Sequence, residues 1–347
     1  MPTKIRKLLH IAGIGLTILL GAEIAARLDD WLQWDVPILV APDRERDLVD
    51  NALWGAHGRP FGRFRKWKLN ALGFRAEPMN EKPDPDRPRI LILGASETFG
   101  LYEDAGQEYP AQLAKKLAGK VEVVNVAMAG ITLKSMIAYW DNRLAKLGAK
   151  EVVLYPSPLF YLDDDVLSPP REPRKEMASG PRFSWRVAGR VRDVYQSLPD
   201  WIKNLREQWV IERGVQASAG EFNEVPEDRL KLFRDDLAKL VMKIRLRGAE
   251  PILLTHASSS ARPARPEDAV FVNRMRMFFP RAIPKIIVDF ESRANDVIRD
   301  LAKEHHVRWI DVDREMTGNR EWFADLVHFN NLGATKMADV LADKVGP

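Results

Sequence analysis

The chain has 347 residues, of which 46% are apolar and 29% charged, and its formal net charge is +4. These values are ordinary for a globular protein, and a chain of this length allows one large domain or two. It contains no cysteine, which excludes disulfides, thiolate metal sites and cysteine nucleophiles. No basic run is interleaved with aromatic residues, so the sequence does not indicate a nucleic-acid partner.

The N-terminal segment predicts a membrane anchor. Lys4, Arg6 and Lys7 precede a mostly apolar run over residues 8–26. At about 1.5 Å of rise per residue, a helix over this run would be roughly 28 Å long, close to the thickness of a bilayer core. The cations before it favour a cytoplasmic N-terminus and an exported remainder. We therefore predict a single transmembrane anchor over residues 1–28.

Two other interpretations of this segment stay open, a cleaved signal peptide and a soluble amphipathic helix. The run is long for the apolar part of a signal peptide, and residues 22–26 show no clean small-residue cleavage pattern. The anchor and the signal peptide agree that the body of the chain works outside the cytoplasm, in the periplasm. The absence of cysteine fits any compartment, including an oxidising one.

Residues 29–88 form an extracytoplasmic lead-in without sustained periodicity. The polar stretch over residues 81–88 is rich in proline and is typical of a loop that enters the first strand. The tryptophans of this segment either pack on the domain or form a belt at the membrane interface. They are Trp31, Trp34, Trp54 and Trp67.

Over residues 89–347, short apolar runs alternate with segments of helical periodicity. The predicted strands are 90–93, 121–126, 151–155, 251–255 and 307–312. The predicted helices are 109–117, 133–147, 230–246, 290–303 and 332–345. This alternation predicts an α/β domain whose mostly parallel sheet is covered by helices on both faces.

The alternation stops over residues 163–225, which we interpret as an insertion from the carboxyl edge of the sheet. The segment is rich in proline and arginine and contains Trp185, Trp201 and Trp209. Such loops commonly build substrate sites in open α/β folds. A wall or flap beside the substrate, a contact with the membrane surface and a partner interface all stay open.

The turn after the first predicted strand carries a candidate nucleophile. The strand ends in Gly94 and Ala95, and Ser96 follows before a helical segment. Small residues let the chain turn sharply and expose the next side chain at the sheet edge. The start of a helix also directs free backbone N–H groups towards an oxyanion formed beside Ser96. The alternative is that Ser96 only caps the helix.

Asp325 and His328 are the candidate partners of this serine. A serine hydroxyl is a poor nucleophile until a histidine accepts its proton, and the histidine needs a carboxylate to fix its tautomer. The two residues are three positions apart in a tight loop before the last predicted helix. That spacing lets one imidazole nitrogen face the carboxylate and the other face the serine. The alternative is an ordinary surface pair.

Together these stretches resemble the SGNH, or GDSL-like, hydrolase family. Its first, second and fifth sequence blocks correspond, in the family's order, to residues 94–100, 125–130 and 325–328. Residues 70–75, Asn-Ala-Leu-Gly-Phe-Arg, resemble the lead-in of membrane-anchored members linked to exopolysaccharide. The likeness extends over residues 70–345. It implies a three-layer α/β/α, flavodoxin-like sandwich with a five-stranded, mostly parallel sheet over residues 89–347.

The resemblance also implies a role for each matching residue. Ser96 would be the nucleophile, His328 the general base and then the general acid, and Asp325 the group that orients His328. The backbone N–H groups of Ser96 and Gly130 would form part of the oxyanion hole. Asn125 would either tie the second-block turn together or contact the substrate.

Two positions depart from the family pattern. Ala95 replaces an aspartate before the nucleophile, and residues 155–161 lack the third-block asparagine that donates to the oxyanion. Loss of one such donor typically costs about 10²–10³ in turnover. Ser157, Tyr161 or His256 are the candidates to replace it. His256, which follows the fourth predicted strand, is alternatively a supporting or substrate-contacting residue.

The expected function is a membrane-anchored, extracytoplasmic serine esterase or O-acyltransferase. The resemblance points to O-acetyl groups on an envelope or secreted polysaccharide, so an acylated carbohydrate is the expected substrate. No cofactor is implied, and no metal site is predicted because the histidines lack a His-x-x-x-His spacing. A membrane-protein partner stays open. The alternative function is a non-catalytic binding or scaffold subunit with the same fold.

Overall fold

The structure is a computed structural model. It describes residues 3–39, 48–52, 54–117, 119–167, 185–187, 190, 200–217 and 220–346. The strands are β1 (Val49–Ala52), β2 (Gly55–Gly58), β3 (Arg63–Phe64), β4 (Trp67–Lys68), β5 (Arg89–Gly94), β6 (Glu122–Asn125), β7 (Glu151–Tyr155), β8 (Glu250–Leu254) and β9 (Arg308–Ile310). The α-helices are α1 (Thr3–Trp34), α2 (Ser96–Phe99), α3 (Tyr109–Lys116), α4 (Leu133–Asn142), α5 (Asp200–Ala217), α6 (Glu227–Leu246), α7 (Ala269–Met275), α8 (Pro284–Glu304), α9 (Val312–Met316) and α10 (Asn331–Ala342).

Five of the strands form one parallel sheet in the order β6-β5-β7-β8-β9. This confirms the predicted α/β fold class. β5 pairs with β6 on one side and β7 on the other, so the chain reverses its direction across the sheet at β5. In open parallel sheets, the crevice at such a reversal, beyond the carboxyl ends of the strands, is where ligands bind. Ser96 lies at that end of β5.

Helices cover both faces of the sheet, as predicted. Alternate side chains of β5 point to opposite faces: Leu91 and Leu93 pack with α4, α6 and α8, whereas Ile90 and Ile92 pack with α3 and α10. Every residue of β5 is buried, which accounts for its continuous apolar run instead of an alternating one. The two cores hold β5 rigidly, so the turn that follows it has a fixed position.

Several predicted boundaries differ from the observed ones for local reasons. The predicted strand 307–312 is limited to β9 because Val312 already starts α9, whose N-terminus is capped by the Asp311 side chain. The predicted helix 290–303 begins earlier, at Pro284, a residue suited to the first helical turn. The predicted helix 133–147 is α4 followed by a separate 3₁₀ turn, Leu144–Leu147.

The lead-in contains two short antiparallel hairpins, β1–β2 and β3–β4, that its irregular pattern does not predict. Its tryptophans have different environments. Trp54 stacks on Tyr139 with ring centroids 5.7 Å apart, and Trp67 Nε1 donates a hydrogen bond to the Gly100 carbonyl at 3.2 Å. Trp31 is 47% exposed on α1. The lead-in is therefore packed on the sheet domain through part of its length.

The N-terminal helix α1 extends beyond the predicted anchor boundary at residue 28, to Trp34. Its stretch Ile5–Trp34 is long and apolar enough to cross a membrane, and an 18-residue window within it has a mean hydropathy of 1.9, although a signal sequence has the same properties. In the predicted insertion, residues 168–184, 188–189, 191–199 and 218–219 lie outside the described part of the chain. The described part includes α5, on which Trp209 is 54% exposed.

Candidate active site

The tight turn after β5 places the Ser96 side chain at the sheet edge. Gly94 has no room for a larger residue, since a Cβ there would lie 2.1 Å from Thr98 Oγ1. The N-cap of α2 is Ala95, and Ser96 is the first helical residue. The alternative that Ser96 caps the helix is therefore wrong. Its hydroxyl instead contacts the side chains of His328 and Glu97.

The lead-in clamps the other end of α2. Arg75 Nη1 donates to the carbonyls of Phe99 at 2.7 Å and Gly100 at 2.5 Å. The same guanidinium forms an ion pair with Glu108 at 3.0 Å, and both side chains are at most 5% exposed. Asn70 shapes the turn before Arg75 by accepting the backbone N–H of Phe74 at 3.1 Å. Residues 70–75 thus fix the C-terminal end of α2, a role that the sequence pattern alone did not assign.

The C-terminal loop brings Asp325 and His328 to the serine across 232 residues of sequence. Ser96 Oγ lies 2.8 Å from His328 Nε2. His328 Nδ1 lies 2.8 Å from Asp325 Oδ2 and 2.9 Å from Oδ1. Oδ1 also accepts the backbone N–H groups of Val327 at 3.0 Å and of His328 at 2.9 Å. The three predicted catalytic side chains therefore form one continuous hydrogen-bonded chain.

The charges of Asp325 and His328 favour proton transfer from Ser96 to His328. Burial by itself raises the pKa of Asp325, but the hydrogen bond with His328, the His328 charge and the two backbone N–H groups together outweigh burial, and the pKa is lowered. Burial lowers the pKa of His328, but the Asp325 carboxylate outweighs it and the pKa is raised. Asp325 is thus a carboxylate that holds the Nδ1 proton of neutral His328. The Nε2 lone pair is then free to accept the Ser96 proton.

Two residues beside His328 were not identified from the sequence. The ring of Tyr102 meets that of His328 edge-on, with centroids 5.4 Å apart. Burial and the Asp325 charge raise the pKa of Tyr102 to about 12. Glu103 is 1% exposed, and burial raises its pKa to about 7 despite the Arg75 charge. Both residues occupy the loop after α2, where no periodic pattern indicates a role.

A second group of ionisable side chains contacts the serine through Glu97, whose Oε2 lies 3.4 Å from Ser96 Oγ. Glu97 Oε1 accepts a hydrogen bond from Ser157 Oγ at 2.5 Å and lies 3.3 Å from His256 Nε2. His256 Nδ1 lies 2.7 Å from Glu291 Oε1. Ser157 and His256 were predicted as substrate-contacting or supporting residues, and their polar atoms face Glu97. Glu97 and Glu291 have no local sequence signal that separates them from ordinary helix residues.

The remaining predicted site residues are Asn125, Gly130 and Tyr161. Asn125 Nδ2 donates to the Thr98 carbonyl at 3.0 Å, and its Oδ1 accepts the Ala127 N–H at 3.1 Å. Asn125 therefore ties the turns after β5 and β6 together. Gly130 follows β6 in a left-handed turn with φ 75°. Tyr161 donates its hydroxyl proton to Asp236 at 2.7 Å, on α6.

Among the residues that the structure describes, no group of three or more histidine, aspartate and glutamate side chains is arranged to hold a metal ion. The groups that the described residues bring together at Ser96 are a hydroxyl, an imidazole and a carboxylate. A hydroxyl paired with an imidazole and a carboxylate in this order is suited to nucleophilic attack on a carbonyl.

Comparisons with known proteins do not identify a family. No protein-family model and no curated protein matches the chain. Similar solved structures include an acetyl xylan esterase, AlAXEase, at 11% identity and TM-score 0.43, over 74% of this chain and 99% of that chain. They also include the lipase/acylhydrolase from Enterococcus faecalis, at 15% identity and TM-score 0.41, over 74% of this chain and 94% of that chain. A third is Axe2, an acetylxylan esterase from Geobacillus stearothermophilus, at 14% identity and TM-score 0.43, over 75% of this chain and 94% of that chain. Likenesses at these identities and TM-scores carry no conclusion about the activity of this chain.

Proposed function

We propose that the protein is a serine-dependent ester hydrolase or O-acyltransferase. The observation that carries this proposal is the hydrogen-bonded chain from Ser96 through His328 to Asp325. Its distances of 2.8 Å at both links are those of a nucleophile and base already in contact. No rearrangement of these side chains is needed before proton transfer.

In the proposed first half-reaction, Ser96 Oγ attacks the ester carbonyl carbon while His328 Nε2 takes the hydroxyl proton. The resulting oxyanion would be held by the backbone N–H groups of Ser96 and Gly130. The imidazolium then gives its proton to the leaving alcohol as the carbon–oxygen bond breaks, and an acyl-enzyme remains. Asp325 keeps its negative charge throughout and stabilises the imidazolium.

In the second half-reaction, His328 takes a proton from water or from a sugar hydroxyl, which attacks the acyl-enzyme. Collapse of this second tetrahedral intermediate releases the carboxylic acid or the new ester and returns the proton to Ser96. Hydrolysis and transfer therefore use the same residues and differ only in the acceptor. We propose O-acetyl groups of an envelope or secreted polysaccharide as the substrate, a choice that rests on the motif order and on the lead-in at residues 70–75.

A fluorophosphonate probe tests the nucleophile directly. The intact protein is expected to be labelled stoichiometrically at Ser96, as located by peptide mass spectrometry, and to hydrolyse a chromogenic acetyl ester. Ser96→Ala should lose both properties, whereas Ser135→Ala, at an exposed position on α4, should keep them. Labelling at a different residue, or esterase activity retained in Ser96→Ala, would refute the proposal. Release of acetate from acetylated polysaccharides then tests the substrate class.

One observation favours a second candidate, a non-catalytic binding or scaffold subunit. The segment after β7 has no asparagine, and both hydroxyls there donate elsewhere, Ser157 to Glu97 and Tyr161 to Asp236. The oxyanion hole would then lack a side-chain donor from this segment. Failure of the correctly folded protein to react with the probe or with any acyl ester would support this candidate.

We further propose that the protein is anchored in the cell membrane by α1, with its sheet domain in the periplasm. The cations in the first turns of the helix and its exposed, mostly apolar surface over residues 5–7 and 9–21 support this, since Ile11 and Ile18 are 68% and 67% exposed. A helix of about 17 residues spans roughly 26 Å, close to the bilayer core.

The last turns of α1 are suited to the membrane surface and not to its interior. Arg190 pairs with Asp29 and with Asp30, each at 2.5 Å, and Arg186 pairs with Asp30 at 3.2 Å. Glu23, 4% exposed, accepts the backbone N–H of Val187 at 3.0 Å. These contacts join the helix to the described part of the insertion. The domain would therefore lie directly against the bilayer.

Cell fractionation tests the anchor. The full chain is expected in the membrane fraction after a carbonate wash, and the mass of the purified protein should include residues 1–22. A C-terminal alkaline phosphatase fusion should be active, as expected for a periplasmic C-terminus. A soluble protein that lacks these residues would indicate a cleaved signal peptide, and an inactive phosphatase fusion would refute the orientation.

A further inference from the structure

A second series of hydrogen-bonded, ionisable side chains, buried and separate from the His328–Asp325 pair, reaches the nucleophile. It runs from Ser96 Oγ to Glu97 Oε2 at 3.4 Å, from Glu97 Oε1 to His256 Nε2 at 3.3 Å, and from His256 Nδ1 to Glu291 Oε1 at 2.7 Å. Glu97, His256 and Glu291 are 4%, 0% and 1% exposed. The mechanism proposed above uses none of these three groups.

The geometry requires a proton on each nitrogen of His256. Both ring nitrogens face carboxylate oxygens, and a neutral imidazole would direct a lone pair at one of them. Burial lowers the pKa of His256, but its hydrogen bonds with Glu291 and Glu97 outweigh burial and raise the pKa to about 9. Burial likewise raises the pKa of Glu97, but the bond with His256 and the His328 charge lower it to about 2. The group is thus an imidazolium between two carboxylates.

The surroundings hold this imidazolium in place. Its ring stacks on Tyr155 of β7, with centroids 5.1 Å apart and an interplanar angle of 17°. Its backbone N–H donates to Asn295 Oδ1 at 2.6 Å, and Asn295 Nδ2 donates to its carbonyl at 2.8 Å. Arg262 pairs with the second oxygen of Glu291 at 3.3 Å. The charged groups that face His256 are therefore Glu97 from α2 and Glu291 from α8, with Arg262 behind Glu291.

This arrangement matters because the Ser96 hydroxyl has two acceptors within reach. His328 Nε2 at 2.8 Å is the productive one, and Glu97 Oε2 at 3.4 Å is a competitor. A bare Glu97 carboxylate would attract the hydroxyl proton and would also repel the oxyanion that forms beside it. Loss of the His256 positive charge, roughly 6–9 Å from the oxyanion through these contacts, changes a rate by roughly 10- to 100-fold at an effective dielectric constant of about 20.

We propose that His256 is a positioning residue that acts on the nucleophile through Glu97. Its imidazolium, with the Ser157 hydroxyl, holds Glu97 Oε1 and compensates its charge, which leaves the Ser96 proton to His328. This inference rests on the proposed serine-dependent acyl transfer. It predicts that the Glu97 charge lowers kcat/KM only when the His256 charge no longer compensates it.

The test compares His256→Gln with the double variant His256→Gln/Glu97→Gln, by kcat/KM for a chromogenic acetyl ester. The single variant should lose roughly 10- to 100-fold, and the double variant should recover at least half of that loss on a logarithmic scale. His305→Gln, at the end of α8, is the matched control and should resemble the unaltered protein. Thermal melting and near-UV circular dichroism establish that each variant is folded.

A second comparison serves if His256→Gln does not fold. Glu291→Gln removes one carboxylate at nearly constant shape, so the pKa of His256 falls and the ring becomes neutral at a lower pH. The activity of Glu291→Gln should therefore decline on the alkaline side, and Glu97→Gln/Glu291→Gln should not show this decline. A purely structural role for His256 gives no such pH-dependent rescue.

The outcomes separate this inference from the proposed function. If the unaltered protein neither reacts with the fluorophosphonate probe nor hydrolyses esters, the proposed function fails. If it is active but His256→Gln matches it, or if neither double variant rescues its single variant, the inference alone is overturned. Rescue in either pair supports it.

Discussion

Replacement of Asp325 by asparagine gives the sharpest test of the geometry at Ser96. Asp325 Oδ1 accepts two backbone N–H groups, from Val327 and His328, at 3.0 and 2.9 Å. An asparagine must keep its carbonyl oxygen at that position, because its NH₂ group has no acceptor there. The NH₂ group then replaces Oδ2, 2.8 Å from His328 Nδ1, and donates to it. The carbonyl oxygen at the Oδ1 position also lies 2.9 Å from Nδ1, but its lone pairs are already engaged by the two backbone N–H groups.

The consequence is the wrong tautomer of His328. With Nδ1 accepting from the amide, the ring proton of neutral His328 moves to Nε2, which then cannot accept the Ser96 proton. In a serine triad this change costs about 10⁴ in kcat while leaving the geometry intact. We expect a loss of the same order, roughly 10³–10⁴ in kcat, with little change in KM.

The assay is steady-state hydrolysis of a chromogenic acetyl ester from pH 5 to about 10, with the rate of fluorophosphonate labelling as a second readout. Asp343→Asn, at an exposed position after α10, is the matched control and should retain full activity. A folded Asp325→Asn protein whose kcat stays within about threefold of the unaltered value would show that Asp325 does not set the tautomer of His328. The proposed triad would then be refuted.

Four further outcomes follow from the structure. The acid limb of kcat/KM should have its midpoint above 6.5, because the pKa of His328 is raised from that value and activity requires the neutral ring; a midpoint below 6.5 would contradict this assignment. The stability that His328 contributes should be complete below pH 6.5 and should be lost as the pH rises through its raised pKa, which urea unfolding at several pH values can measure. Gly94→Ala should destabilise the fold by about 1–3 kcal/mol, since its Cβ would lie 2.1 Å from Thr98 Oγ1; unchanged urea unfolding would contradict that packing. Arg75→Leu should cost about 3–5 kcal/mol in the same assay, because Glu108 would remain buried without its partner, and an unaltered midpoint would show that the clamp on α2 is dispensable.

The parts of the fold that local patterns encode were predictable from the sequence. β5 and β7 are fully buried, so they appear as continuous apolar runs, and a parallel sheet follows from their alternation with helices. The exact ends of strands and helices were less predictable where they depend on capping residues. β9 stops early because Asp311 caps the next helix, and α8 begins early at Pro284.

The same distinction holds for the candidate site. Ser96, Asp325 and His328 occupy short motifs, so the sequence indicated them, and the structure places them in contact. Glu291 had no such signal, since it lies within a long amphipathic helix and acquires its role only when α8 packs beside β8. A buried partner of this kind is defined by tertiary contacts between distant segments and not by spacing along the chain.

The clamp formed by Arg75 also bears on where a minimal functional fragment would begin. A cut immediately before Arg89 would keep all five parallel strands together with Ser96 and His328. It would nevertheless remove the Arg75 guanidinium that donates to the Phe99 and Gly100 carbonyls. Glu108 would then be buried without its ion-pair partner. Protein engineers who wish to transplant this candidate active site into another scaffold should therefore retain the chain from Asn70 onward.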